Sequence, residues 1–112
     1  MKIQINTDNH ISGTREKTDP IIEMISTSLK RFSERITRIE VHLSDENSKK
    51  KGQKDIKCVL EARLKGMDPV AVTDHEDRVE DAVDGALDKM TSKLDTILGK
   101  LKSFQNEKIF KP

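Results

Sequence analysis

Asp77-Arg78-Val79-Glu80-Asp81-Ala82-Val83-Asp84-Gly85-Ala86-Leu87-Asp88-Lys89-Met90-Thr91-Ser92-Lys93-Leu94-Asp95-Thr96-Ile97-Leu98-Gly99-Lys100-Leu101-Lys102 is the stretch that decides the fold. Its apolar residues, from Val79, Ala82 and Val83 through Met90 and Leu94 to Leu101, recur at the i, i+3, i+4, i+7 spacing of one buried face. This predicts a long amphipathic helix with a capping pair at Asp77 and Glu80. At about 100° per residue, Lys89, Lys93 and Lys100 fall in a row along one edge of that face, with Arg78 nearby. Asp77, Asp81, Asp84, Asp88 and Asp95 fall roughly opposite. The helix is formally balanced, yet its charges are sorted.

Upstream of the helix the period changes. Lys2-Ile3-Gln4-Ile5-Asn6 alternates polar and apolar, as a strand with one buried face does. A polar loop through Gly13 follows, and Asp19-Pro20 reads as a helix start, with Ile22, Ile25, Leu29, Phe32 and Ile36 continuing the helical pattern to an end near Glu34. Alternation returns in Arg38–Leu43. It resumes in Asp55–Leu64, where Ile56, Cys58, Leu60, Ala62 and Leu64 share one face and Lys57, Val59, Glu61 and Arg63 the other. The lysine-rich run from Ser44 to Lys54 reads as a hairpin loop. Gly66-Met67-Asp68-Pro69 supplies a turn, and Val70–Thr73 a fourth strand.

The predicted class is therefore α+β: a β-α-β-β-β-α two-layer sandwich, a four-stranded sheet with both helices on one face. Residues 1–103 form a single domain in this reading, and 104–112 a flexible tail. The chain has 112 residues, 37% of them charged, with a net charge of +1 and a mean hydropathy of −0.69. That length fits one domain with a modest core, and the surface must be densely charged. Near-neutral net charge is a poor argument against nucleic acid when the charges are sorted. No apolar run approaches membrane-spanning length, no signal-peptide core follows Met1, and a single cysteine suits a reducing compartment, so the expected location is the cytoplasm.

Chemistry-bearing motifs are few. Asp74-His75-Glu76-Asp77 is placed in a strand-to-helix turn, where adjacent side chains diverge and no second ligand cluster is in reach, so no metal and no cofactor is expected. His10 and His42 are isolated, Cys58 reads as a small core residue, and no nucleophile elbow or dinucleotide fingerprint is present. The chain is read as a non-enzyme. With no Trp, no Tyr and three Phe, the open sheet face carries no stacking platform for single-stranded RNA.

Lys54-Asp55-Ile56-Lys57-Cys58-Val59-Leu60-Glu61-Ala62-Arg63, then Gly66, then Ala82-Val83-Asp84 and Leu87-Asp88-Lys89-Met90, together with the order of elements, resemble the ribosome hibernation-promoting factor and ribosome-associated inhibitor family, once called sigma-factor modulation proteins. The resemblance covers roughly residues 1–102. It implies a domain similar to double-stranded-RNA-binding domains that binds ribosomal RNA of the small ribosomal subunit near the decoding region and inhibits translation under stress. Ribosomal proteins are possible further contacts, and no membrane is involved. It further implies the short form, without the dimerisation domain of longer relatives.

Carried onto this chain, the family's basic positions match Lys89, Lys93, Lys100 and Lys102; the residues themselves add Arg78 and Lys30 as candidate contacts, and Lys49, Lys50 and Lys51 as a loop cluster that reads equally well as a solvated loop. The reading places the lysine row along a groove between parallel helices. Ala82 and Ala86 let the first helix approach, Lys30 faces the groove, and Arg31 and Arg35 point outward. A lysine row at helical rise can neutralise successive phosphates without reading bases. The ordinary alternative is that such lysines extend their stems over the core edge and nothing more. A protein-interaction or regulatory module on the same scaffold, using the acidic stripe or the open sheet face, is the competing function.

Overall fold

The structure, a computed structural model, describes residues 1–46 and 55–110, with side chains in the last helix described as far as Gly99. The order is β1 (Lys2–Thr7), α1 (Arg15–Ser28), a 3-10 turn (Lys30–Phe32), β2 (Ile36–Asp45), β3 (Ile56–Leu64), β4 (Val70–Glu76) and α2 (Val79–Phe110). The strands lie in the order β1-β2-β3-β4, with β1 parallel to β2 and the other pairs antiparallel. This is the predicted β-α-β-β-β-α sandwich.

Alternation in the strands sends Ile39, Val41, Leu43, Cys58, Leu60, Ala62 and Leu64 under the helices, where all are buried. Onto them pack Ile21, Ile25 and Leu29 of the first helical segment and Ala82, Val83, Ala86, Leu87, Met90 and Leu94 of α2. Truncating any of the larger ones to Ala, Leu94 or Leu60 for instance, would cost about 2–5 kcal/mol. Gly66, at φ 69°, turns β3 into β4 in a conformation other residues resist.

The first helix differs from its predicted bounds at both ends. It starts five residues before Pro20, at Arg15, with Thr14 as N-cap; the Thr14 carbonyl accepts N–H bonds from Lys17 at 3.0 Å and Thr18 at 2.9 Å. Pro20 inside the helix cannot bond the Glu16 carbonyl, but both residues are exposed and water can take that acceptor. The helix ends at Ser28, after Ser26-Thr27-Ser28, whose hydroxyls compete with the helical backbone. A tighter turn then brings Phe32 into the core, and Ile36 belongs to β2 rather than to the helix. The buried face follows Ile21, Ile25 and Leu29, with Ile22 only half-buried.

Three boundaries around the last helix also move. β4 continues through Asp74, His75 and Glu76, so these residues lie in a strand and not in a turn. The Arg78 carbonyl accepts the Ala82 N–H at 3.0 Å, which places the cap position on Arg78 instead of Asp77. Helical backbone runs on past Lys102 to Phe110.

Candidate nucleic-acid interface

α2 lies over β3 and β4, and α1 packs against β1 and α2. One edge of α2 therefore faces α1, and the other faces the free edge of β4. The lysine row is on the β4 side. Lys89 Nζ donates to the Thr73 carbonyl at 2.7 Å and sits 3.0 Å from Asp74 Oδ1. Lys93, one turn on, lines a shallow depression with Val72, Ser92 and Ile97.

The row does not border a groove between the helices, as the sequence reading has it. α1 instead meets the acidic side of α2. Arg31 forms a bidentate pair with Asp95, at 2.5 and 2.8 Å, while its guanidinium lies 4.1 Å from the centroid of the Phe32 ring. Arg31 thus points toward α2 rather than away from it, and Asp95 is no mere solvent-facing charge. The hydrogen bond from Arg31 holds the Asp95 carboxyl below the usual carboxylate range. Gly85, with Ala82 and Ala86 beside it on the helix, closes the gap to β4 instead of to α1: a Cβ at Gly85 would strike the Asp74 carboxylate.

Asp74 is buried, with 8% of its surface exposed. Burial opposes its ionisation. Hydrogen bonds to Lys89 and Glu76, the Lys89 charge and the His75 backbone together outweigh that, and hold its carboxyl below the usual value. Lys89 is therefore half-committed: 53% of its side chain remains exposed while its ammonium ties α2 to β4. Lys93 is exposed and has no ion-pair partner among the described residues.

The other predicted contacts are dispersed. Lys30 is exposed at the end of the first helical segment, on the α1 side of α2 with Arg31. Arg78 lies at the opposite end, beside a cavity of about 410 Å³ lined also by His10, Lys17 and Ile56, and pairs with Glu80 at 3.4 Å. The backbone of Lys100 and Lys102 continues the helix. Lys49, Lys50 and Lys51 lie outside the described residues.

Cations that the sequence reading did not take as RNA contacts, though it placed Arg63 there, stand on the open face of the sheet. The register sets Lys2 beside Arg38 and Arg38 opposite Arg63. Each occupies the polar phase of its own strand, but only the pairing register aligns them. Among the described residues, no group of three or more metal-ligating side chains converges and no helix is long and apolar enough to cross a membrane.

Fold and surface define a small two-layer α+β domain with separated patches of positive charge. The chain belongs to the Sigma 54 modulation protein / S30EA ribosomal protein family, whose sequence profile matches residues 9–102. This is a family of ribosome-associated proteins. The fold is shared with the N-terminal domain of Thermus thermophilus Protein Y, at 18% identity and a TM-score of 0.68, covering 87% of this chain and 99% of that one. It is shared as well with a ribosomal subunit interface protein from Coxiella burnetii, at 15% identity and a TM-score of 0.66, covering 88% of this chain and 99% of that one. No curated protein matches the chain in sequence.

Proposed function

We propose that this protein binds the small ribosomal subunit near the decoding region and inhibits translation there as a hibernation or stress factor. Family membership across residues 9–102 carries the reading. Lys93 is the principal helix contact, with Lys89 contributing the exposed part of its side chain, and Lys100, Lys102, Lys30 and Arg78 extending the positive surface. Such a surface recognises the spacing of phosphates and the shape of folded RNA, not its sequence. Residues 1–103 are the binding unit.

Co-sedimentation of the full chain with purified small subunits at several salt concentrations tests this reading. Binding should be tight at low salt and fall steeply as salt rises, and bound protein should lower the yield of in vitro translation. Absence from the subunit fraction at low salt, with the fold intact, would sink the proposal. Retention of one soluble protein without ribosomal RNA would favour the interaction-module reading, for which the exposed Asp81, Asp84 and Asp88 of α2 supply a surface.

A further inference from the structure

The pairing of β2 with β3 carries an irregularity. Ile36 stands opposite Leu64, but the next partners are Arg38 and Arg63, so Thr37 is the extra residue of a bulge. The Thr37 hydroxyl donates to the Arg63 carbonyl at 3.1 Å and closes the bulge locally. Its consequence is to place Arg38 on the open face directly opposite Arg63. The parallel register of β1 then sets Lys2 beside Arg38.

Three cations thus stand in one row across three adjacent strands, within about 10 Å at the usual strand spacing. Like charges directly opposite in a sheet are destabilising. Glu40 partly compensates, 3.0 Å from Arg38 and 3.9 Å from Arg63, as does Glu61, 3.2 Å from Arg63. The compensation is incomplete at the two ends of the row: Lys2 has no ion pair among the described residues and 53% of the Arg63 side chain is exposed, while the Arg38 guanidinium between them also donates to Gln4 Oε1. Two more cations flank the row at the same end of the sheet. The Lys65 N–H donates to the Arg35 carbonyl at 2.9 Å, and both side chains are exposed and free of ion pairs among the described residues. Glu34 and Asp68 are the other acidic residues near this end.

A bulge that aligns like charges weakens the free protein, and an anion laid across the row removes that cost. We propose that Lys2, Arg38 and Arg63, flanked by Arg35 and Lys65, form a second phosphate-binding surface. It engages the sugar-phosphate backbone of ribosomal RNA on the sheet face opposite the helices. The domain is then held by RNA on two sides, through the lysine edge of α2 and through the sheet. Positive charge and the lack of an aromatic platform select backbone over bases. This inference rests on the ribosome-binding reading and adds a face to that of the helix lysines.

The experiment compares the full-length wild type with Lys2→Gln/Arg63→Gln and with Lys89→Gln/Lys93→Gln, measuring affinity for purified small subunits across a salt series. The sheet variant should bind on the order of tenfold or more weakly at low salt. Its slope of log affinity against log salt should be shallower by about two. Its melting temperature is read alongside to show that the variant is folded, because Arg63 also pairs with Glu61 and Glu40, which stand opposite each other. Wild-type affinity and slope in the sheet variant, with binding weakened in the helix variant, would overturn the second surface and leave the ribosome reading standing. Failure of the wild type to bind would overturn both. A photoreactive group on the thiol of an Arg63→Cys variant identifies the occupant, since Cys58 is buried. Cross-links to ribosomal RNA support the proposal; cross-links only to ribosomal protein overturn it.

Discussion

Asp74 and Lys89 join the free edge of the sheet to the last helix. The carboxylate is buried beneath α2 against Gly85, and the ammonium reaches it at 3.0 Å while donating to the Thr73 carbonyl. An exposed strand edge is a template for unwanted pairing, and a lysine laid over it is a common protection. The residue that sequence marks as an RNA contact thus also guards β4.

Gly85 and Gly99, both in α2, should respond oppositely to alanine. At Gly85 a Cβ would collide with the buried Asp74 carboxylate, while at Gly99 it meets nothing within 4 Å. Gly99→Ala should raise stability by up to about 1 kcal/mol through helix propensity. Gly85→Ala should lower it by about 1–2 kcal/mol, because overpacking outweighs the same gain. Paired denaturant titrations decide the matter; stabilisation by both would show that Asp74 moves aside freely.

Acid should reveal the Asp74 link. Its carboxyl is held below the usual 3.8, so the folded state keeps it ionised where the unfolded chain has begun to protonate. Its contribution is present above that usual value and is lost as pH falls through the lower folded value. Asp74→Asn should therefore be less stable than wild type at neutral pH, with the two converging as the solution is acidified below 3.8. A stability gap independent of pH would mean that the charge is irrelevant.

Removing Asp95 should strengthen binding to the small subunit. Asp95 neutralises Arg31 through the bidentate pair, so Asp95→Asn frees a cation on the α1 side of α2. The expected result is tighter binding at low salt, with the salt slope steeper by about one. Unchanged affinity would place the Arg31 side of the molecule away from RNA.

Cys58 should be inert in the folded protein. Burial first, and the nearby Asp74 charge second, push its thiol from 9.0 to about 12. Alkylation at neutral pH should be slow until the chain unfolds, and prompt labelling of native protein would contradict the buried placement. Between those two values the folded state holds the proton that the unfolded chain releases, so the thiol's contribution to stability declines as pH rises.

The alternation of Lys2–Asn6, Arg38–Leu43 and Asp55–Leu64 and the long period of α2 make the architecture legible without coordinates. Those patterns depend only on which face of an element is apolar. Helix ends are less legible. Asp19-Pro20 is a persuasive start signal, yet Pro20 lies inside a helix begun at Arg15, because an exposed proline near an N-terminus costs little there. The site is least legible. Periodicity places Lys89, Lys93 and Asp95 correctly around the axis of α2, but it cannot say which edge faces α1 and which faces β4.

By itself the sequence determined the element order, the buried faces, the family resemblance and the sorting of charge around α2, since each is a local pattern along the chain. Only the tertiary structure decided that Arg31 meets Asp95, that Lys89 caps β4 through Asp74, and that a bulge at Thr37 aligns Lys2, Arg38 and Arg63. Those relationships join residues on different elements, and they depend on strand order, register and helix placement, which local periodicity does not encode.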